Sequence, residues 1–194
     1  MKLTKKNAII ISFALVGCAL LVIILSSFSK KQCSKGVISS IGYKSTSGKD
    51  GELCQSFLGS STAPRGVRNN NVGNLIRTNS SWKGKIPHDR SKDIKFEQFE
   101  TYALGIRAMI YNLDKNYLLK GHNTIRKIIQ KYTGNNTSYM SFLSQRMGIG
   151  IDQNIKNSKS EIKKLTTAIA RYENGLECIK DTHFNLGWNL YKTL

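Results

Sequence analysis

Two parts of this sequence carry residues suited to chemistry on carbohydrate. The first is Arg65 to Arg77, RGVRNNNVGNLIR, in which Asn69, Asn70 and Asn71 stand between arginines and a Gly73-Asn74 turn. Asn tolerates left-handed backbone angles and bonds its own main chain, so this composition predicts a shaped loop. Trp82-Lys83-Gly84 and the pair Phe96 and Phe99 follow it. Side-chain amides bond sugar hydroxyls and N-acetyl groups, and aromatic faces stack on pyranose C–H surfaces. Arg68, Asn70, Asn71, Asn74, Trp82 and Tyr172 are therefore the candidate substrate-binding residues. An ordinary surface loop is the plainer account of the same stretch.

The second part is Glu173, in Tyr172-Glu173-Asn174-Gly175 at the end of an apolar-periodic run. The macrodipole repels negative charge at a helix C-terminus by ~0.3–1 kcal/mol. A carboxyl group held there against an apolar face keeps its proton more readily, and glycosidic cleavage needs a proton donor at the leaving oxygen. A solvated helix-end residue would read the same way. Glu97 and Glu100 flank the Phe96/Phe99 pair and are the candidates for a second carboxylate. Glu161 is expected to be used in capping and Asp114 to lie on a solvated helix face. His88, His122 and His183 are isolated, and no Ser/His/Asp or Cys/His spacing is visible.

Composition narrows the partners. With 30 Lys+Arg against 12 Asp+Glu, the chain carries +18 over 194 residues. Such a field favours nucleic acid, anionic lipid, or the phosphates and carboxylates of a bacterial wall. No nucleic-acid motif is visible and the cations are spread along the chain, so no specific nucleic-acid partner is expected. Cys18, Cys33, Cys54 and Cys178 form no CxxC pair and have no neighbouring histidines, so neither a metal site nor a cofactor is expected. One disulfide among Cys33, Cys54 and Cys178 and free thiols are both compatible with this spacing.

The elements that must position these groups follow in order. Residues 8–28 are an uncharged run of 21 residues, about 30 Å as a helix, which matches a bilayer core. We expect a retained transmembrane helix within residues 1–29. Leu15-Val16-Gly17-Cys18 resembles a lipoprotein cleavage box, but the residues after Cys18 stay apolar. Lysines flank the run on both sides, so its orientation stays open, with the globular part expected to be exported. Residues 30–63, rich in Ser, Gly and Lys, are expected to form a linker.

From Pro64 the pattern is helical. Helices are predicted over 101–119, from 123 or 124 to Gly134, over 137–147 with Tyr139, Phe142, Leu143 and Met147 inward, and from a Ser158–Glu161 capping box to Gly175. A last helix is predicted around 184–194, and a small hairpin near 75–100.

Taken in order, RGVRNNNVGNLIR, Trp82-Lys83-Gly84, FEQFETYALGIRAM, His122-Asn123-Thr124-Ile125 to Ile129, Thr137-Ser138-Tyr139 and AIARYENG resemble a family of phage and prophage virion proteins. In that family RGIRNNNPGN, GIRA, a TI..II helix, an N.T..Y step and HENG recur in the same order, here over about residues 64–176. The Ala168 to Asn174 step is also similar to the helix-then-Glu of lytic transglycosylases, where that Glu is the acid/base. Asn70 to Gly84 is similar to a stretch of flagellar-type glucosaminidases, in reversed order, as in a circular permutation. Val72 stands where the family has Pro, Thr101-Tyr102-Ala103 where it has S-P-E, and Tyr172 where it has His.

The resemblance implies a mainly α (α+β, lysozyme-like) domain over 64–194, a single globular unit behind the membrane helix. It implies an enzyme cleaving the glycosidic bonds of peptidoglycan, with Glu173 catalytic and Glu97 or Glu100 as the second acid if hydrolysis is the outcome. Its partners would be glycan strands, a bilayer of virion or bacterial inner membrane through residues 8–28, and other virion or envelope proteins. A non-enzymatic virion or envelope protein that kept the scaffold is the alternative.

Overall fold

The computed structural model describes residues 55–193. The expected membrane helix, Cys18, Cys33, Cys54 and the linker up to residue 54 lie outside the described residues. Among the described residues no helix is long and apolar enough to cross a membrane.

The described chain is mainly helical, with almost no strand. A single turn, α1 (Arg65–Arg68), leads into the asparagine loop. Then come α2 (Tyr102–Tyr111), α3 (Ile125–Thr133), α4 (Thr137–Met147), α5 (Lys159–Asn174) and α6 (Asp181–Lys192). Thr101, Thr124, Asn136 and Ser158 each accept a hydrogen bond from a first-turn N–H of α2, α3, α4 and α5. That is what Ser, Thr and Asn do at this position. The capping box expected at α5 is half formed: Ser158 Oγ accepts from Glu161 N, while the Glu161 carboxylate takes Lys164 Nζ at 3.0 Å.

The axis of the fold is α2. Every residue from Tyr102 to Ile110 is buried, so the helix has no solvated face and sits inside the others. Helix α6 crosses it at Gly187, where an added Cβ would lie 2.5 Å from Ile106 Cγ2. On another side the asparagine loop lies directly on α2. A Cβ at Gly105 would stand 1.5 Å from the Asn70 carbonyl oxygen, so only glycine allows this approach.

The expected helix over 101–119 is shorter in α form. It ends at Tyr111, widens to a π turn over Asn112–Tyr117, tightens to a 3-10 turn over Leu118–Lys120, and stops at Gly121. The widened turn brings Leu113, Asp114, Tyr117 and Leu118 all inward. Asp114 is thus buried and not on a solvated face. It accepts from Asn157 Nδ2 at 2.6 Å and from the Tyr191 hydroxyl, joining the π turn to α6 and to the chain before α5. In α4, Met140 is buried where Phe142 was expected, and Phe142 is half-buried against Tyr172. Helix α6 begins three residues before Phe184.

No hairpin forms between 75 and 100. Two isolated antiparallel bridges, Ile76 with Phe96 and Lys85 with Phe99, hold three extended segments together. Side chains supply the rest of the pairing. Asn71 Nδ2 donates to Leu75 O at 3.0 Å and Glu97 O at 2.9 Å, while its Oδ1 accepts from Leu75 N. Asn70 Nδ2 donates to Ser56 Oγ and Phe99 O, and its Oδ1 accepts from Phe57 N. Asn69 bridges Gln98 and Asp93. The packed body starts upstream of Pro64: Tyr102 N donates to Gln55 O, and the Phe57 ring meets Tyr102 edge-on.

Two outcomes follow. Gly105→Ala should cost more than about 4 kcal/mol in chemical denaturation, because a backbone carbonyl occupies the new methyl's place; Gly150→Ala, where a Cβ meets nothing closer than 3.9 Å, should be within about 0.5 kcal/mol of wild type. Asp93, paired with Arg65 and bonded by Asn69 and two backbone N–H groups, is held well below the usual carboxylate range. Its folded value lies below its unfolded one, so its contribution is complete above about pH 4 and is lost as pH falls below that. Thermal melts should show this acid-side loss in wild type and a flatter profile in Asp93→Asn.

Candidate functional site

One cleft of about 340 Å³ opens where α3, the end of α5, the π turn and the asparagine loop meet. Asn74, Trp82, Phe96, Asn112, Tyr117, Tyr132 and Glu173 line it, with Lys95 and Lys131. Its walls are aromatic and amide, and Glu173 is the only carboxylate among the lining residues.

Each residue of Glu173-Asn174-Gly175 has a separate task. Gly175 takes the left-handed angle (φ 71°) that ends α5. Asn174 turns inward, and its Nδ2 donates to Val72 O and Ala170 O, both at 2.8 Å, which fastens the helix end to the asparagine loop. Glu173 is left facing the cleft. Its Oε2 accepts from Asn74 Nδ2 at 2.9 Å and its Oε1 from the Tyr139 hydroxyl at 3.0 Å. Asn74 can face it because the residue adopts a positive φ of 48°, which Asn tolerates better than most residues.

The surroundings keep the tyrosines of the cleft neutral. Burial, and then the charge of Glu173, push the Tyr139 phenol well above its ordinary value, and the same causes act on Tyr132. Burial raises Tyr117 to about 12. These hydroxyls therefore stay protonated, and those of Tyr139 and Tyr132 donate. Tyr132 donates to Gly73 O, which locks α3 onto the loop that carries Asn74.

The sequence candidates divide. Glu173, Asn74 and Trp82 come together at the cleft. Asn70 and Asn71 do not reach it: both are fully buried and spend their amides on the main chain and, for Asn70, also on Ser56 Oγ. Their expected role as sugar ligands gives way to a structural one, because a loop without strand partners needs side chains to satisfy its backbone. Tyr172 stacks on Tyr139 at 3.6 Å between ring centroids and supports the ring that touches Glu173. Arg68 lies apart, beside a separate hollow with Arg65, Asn69 and Lys92.

Neither expected second acid lies in the cleft. Glu97 is wholly buried, accepting from Thr78 N and bonding His88 Nε2 at 3.0 Å, with Lys85 Nζ at 3.6 Å. It organises the loop carrying Trp82. Glu100 is half-buried beside Gly84, to whose carbonyl its own N–H donates. Among the described residues no group of three His, Cys, Asp or Glu could hold a metal, and Cys178, the one described cysteine, is a free thiol.

Sequence reasoning missed Tyr139, Tyr132, Tyr117 and Asn112. Helical spacing alone places Tyr139 in the core. The overlooked signal is its hydroxyl, since a buried tyrosine requires a hydrogen-bond partner and few acids are available.

If Asn71 is a scaffold residue, Asn71→Leu should lower unfolding free energy by about 3 kcal/mol, since it leaves buried backbone groups without partners. A glycan-binding role predicts unchanged stability with weaker binding, so denaturation and binding measured together decide. The chain matches no family model and no curated protein, so this geometry carries the functional reading.

Proposed function

We propose that this protein cleaves the glycan strands of peptidoglycan by the single-carboxylate route of a lytic transglycosylase, on a lysozyme-like scaffold. The observation that carries the reading is Glu173, at the end of α5, held by Tyr139 and Asn74 in an aromatic cleft that contributes no second acid.

The chemistry suits that arrangement. Protonated Glu173 delivers its proton to the glycosidic oxygen as the bond from that oxygen to the anomeric carbon breaks. Positive charge develops on the ring, and the substrate's own 6-hydroxyl closes on the anomeric carbon. Glu173, now a carboxylate, accepts the hydroxyl proton and is restored. Atoms balance without water, and the product ends in an anhydro ring. While Glu173 is charged, the Tyr139 hydroxyl and the Asn74 amide stabilise it. Hydrogen bonds to a charged group are worth ~1.5–3 kcal/mol. A hydrolase with two acids needs the second carboxyl within ~5–9.5 Å across the scissile bond, and neither expected partner, Glu97 or Glu100, lines the cleft; the Glu97 carboxylate is engaged by Thr78 and His88.

Trp82, Phe96 and Tyr117 offer ring faces for pyranose stacking, while Lys95 and Lys131 suit an anionic polymer. We further propose that residues 8–28 anchor the protein in a bilayer. The ordered motifs shared with phage and prophage virion proteins support delivery with a virion for wall penetration.

The test is digestion of purified peptidoglycan by the full chain in non-ionic detergent, with product masses read out. Wild type should release anhydro-muropeptides. Glu173→Gln should lower the rate by ~10²–10⁴ with the melting profile retained, and Tyr139→Phe by about tenfold or more. Reducing ends in place of anhydro ends would point to hydrolysis, and equal products from wild type and Glu173→Gln would overturn the assignment.

A further inference from the structure

Beside the Glu173 cleft lies a second hollow of about 330 Å³, lined by Ser80, Ser81, Trp82, Arg107, Tyr111 and Asn116. Trp82 borders both. This hollow is polar, contains no acid, and is built around a charge with no counter-charge.

Arg107 belongs to the buried helix α2 and is 8% exposed. A guanidinium cannot shed its proton in a protein, and burying an unpaired charge is costly. The usual solution is a carboxylate. Here none is within ion-pair distance of Arg107 among the described residues, and its Nε is buried without a hydrogen-bond partner. The Tyr111 ring, 5.6 Å from the guanidinium carbon, gives partial relief as a cation–π contact. The Trp82 indole N–H, on the same hollow, is also buried without an acceptor. Two residues lining the hollow thus carry unsatisfied donors, beside the exposed serines Ser80 and Ser81, which makes it a receptor for oxygen acceptors. Burial, and then the charge of Arg107, disfavours the charged form of Lys83, and two cationic side chains set the local potential positive.

We propose that this hollow is an anion-binding subsite, with Arg107 and the Trp82 indole as donors, that receives an oxyanion borne by the glycan lying in the neighbouring cleft. This rests on the reading of the cleft as a glycan site. The ligand is a carboxylate or a phosphate monoanion or diester, groups that a planar guanidinium fork recognises in pairs of hydrogen bonds. On a wall polymer the carboxylates belong to the stem peptides and the phosphates to attached polyol-phosphate chains.

The first measurement follows the two indole N–H signals of isotope-labelled full-length protein in detergent as inorganic phosphate, then acetate, is added at constant ionic strength. The Trp82 signal should shift saturably and the Trp188 signal should stay, serving as the internal check on folding. Arg107→Gln should abolish the shift. If that variant does not fold, Ser81→Asp, which places a negative charge at the exposed mouth, should weaken phosphate binding at least fivefold. The absence of a saturable Trp82 shift, or one unchanged in Ser81→Asp, would sink the proposal. This titration needs no turnover, so it stands apart from a failure of the catalytic reading.

The second measurement compares KM and kcat of wild type and Arg107→Lys on intact wall, on wall freed of phosphate polymers, and on glycan freed of stem peptides. KM should rise about fivefold or more on intact wall with kcat little changed. Loss of that difference after removing phosphate polymers assigns a phosphate, and after removing stem peptides a carboxylate. Persistence of the difference on both stripped substrates rejects a glycan-borne ligand.

Discussion

The seating of the Asn70 carbonyl on Gly105 is the contact on which the rest of the molecule depends. It brings a loop without strand partners against the most buried helix, closer than any side chain would allow. From that seat the loop extends in two directions. Upstream, Asn70 gathers Ser56 and Phe57; downstream, Asn71 holds Leu75 and Glu97. Two asparagine amides thereby do what a β-ladder does elsewhere, satisfying buried backbone groups one by one. An apolar replacement would keep the volume and lose the pairing.

The same loop determines where the acid sits. Glu173 is carried by α5, but its position is set by Asn174, which bonds the loop at Val72, and by Asn74, which bonds the carboxylate from the loop's other end. Loop and helix end are thus clamped on both sides of the group proposed to transfer the proton. Tyr139 completes the shell from α4, with Tyr172 stacked behind it. The two rings of α4 and α5 restrict rotamers around the carboxylate, the kind of support an acid needs to meet a proton acceptor at one fixed place.

Charge is distributed by a related logic. Buried acids are fully engaged: Asp93 by Arg65 and Asn69, Asp114 by Asn157 and Tyr191, Glu97 by His88 and Thr78. With so few acids in a chain of +18, these internal commitments leave few to balance Arg107. The unpaired buried guanidinium and the single acid of the cleft are therefore two results of one composition.

Local sequence determined a great deal. The capping box at Ser158, helix starts at Thr101 and at Asn123 or Thr124, stops at Gly121, Gly134, Gly148 and Gly175, and apolar periodicity located α2 to α5 within a few residues, because capping and amphipathic burial are local physics. Glu173 was legible too, as an acid where a helix end disfavours one. What required the tertiary structure was the direction in which polar side chains spend their hydrogen bonds. Asn70 and Asn71 look the same in sequence as Asn74, yet only Asn74 turns to the cleft. Glu97 was visible as an acid but not as an internal anchor, Glu100 as an acid but not as one outside the cleft, and Tyr139 as core but not as a donor. The π turn that brings Asn112 and Tyr117 to the cleft follows from packing against α6 and the chain before α5, and no neighbour in sequence encodes that contact.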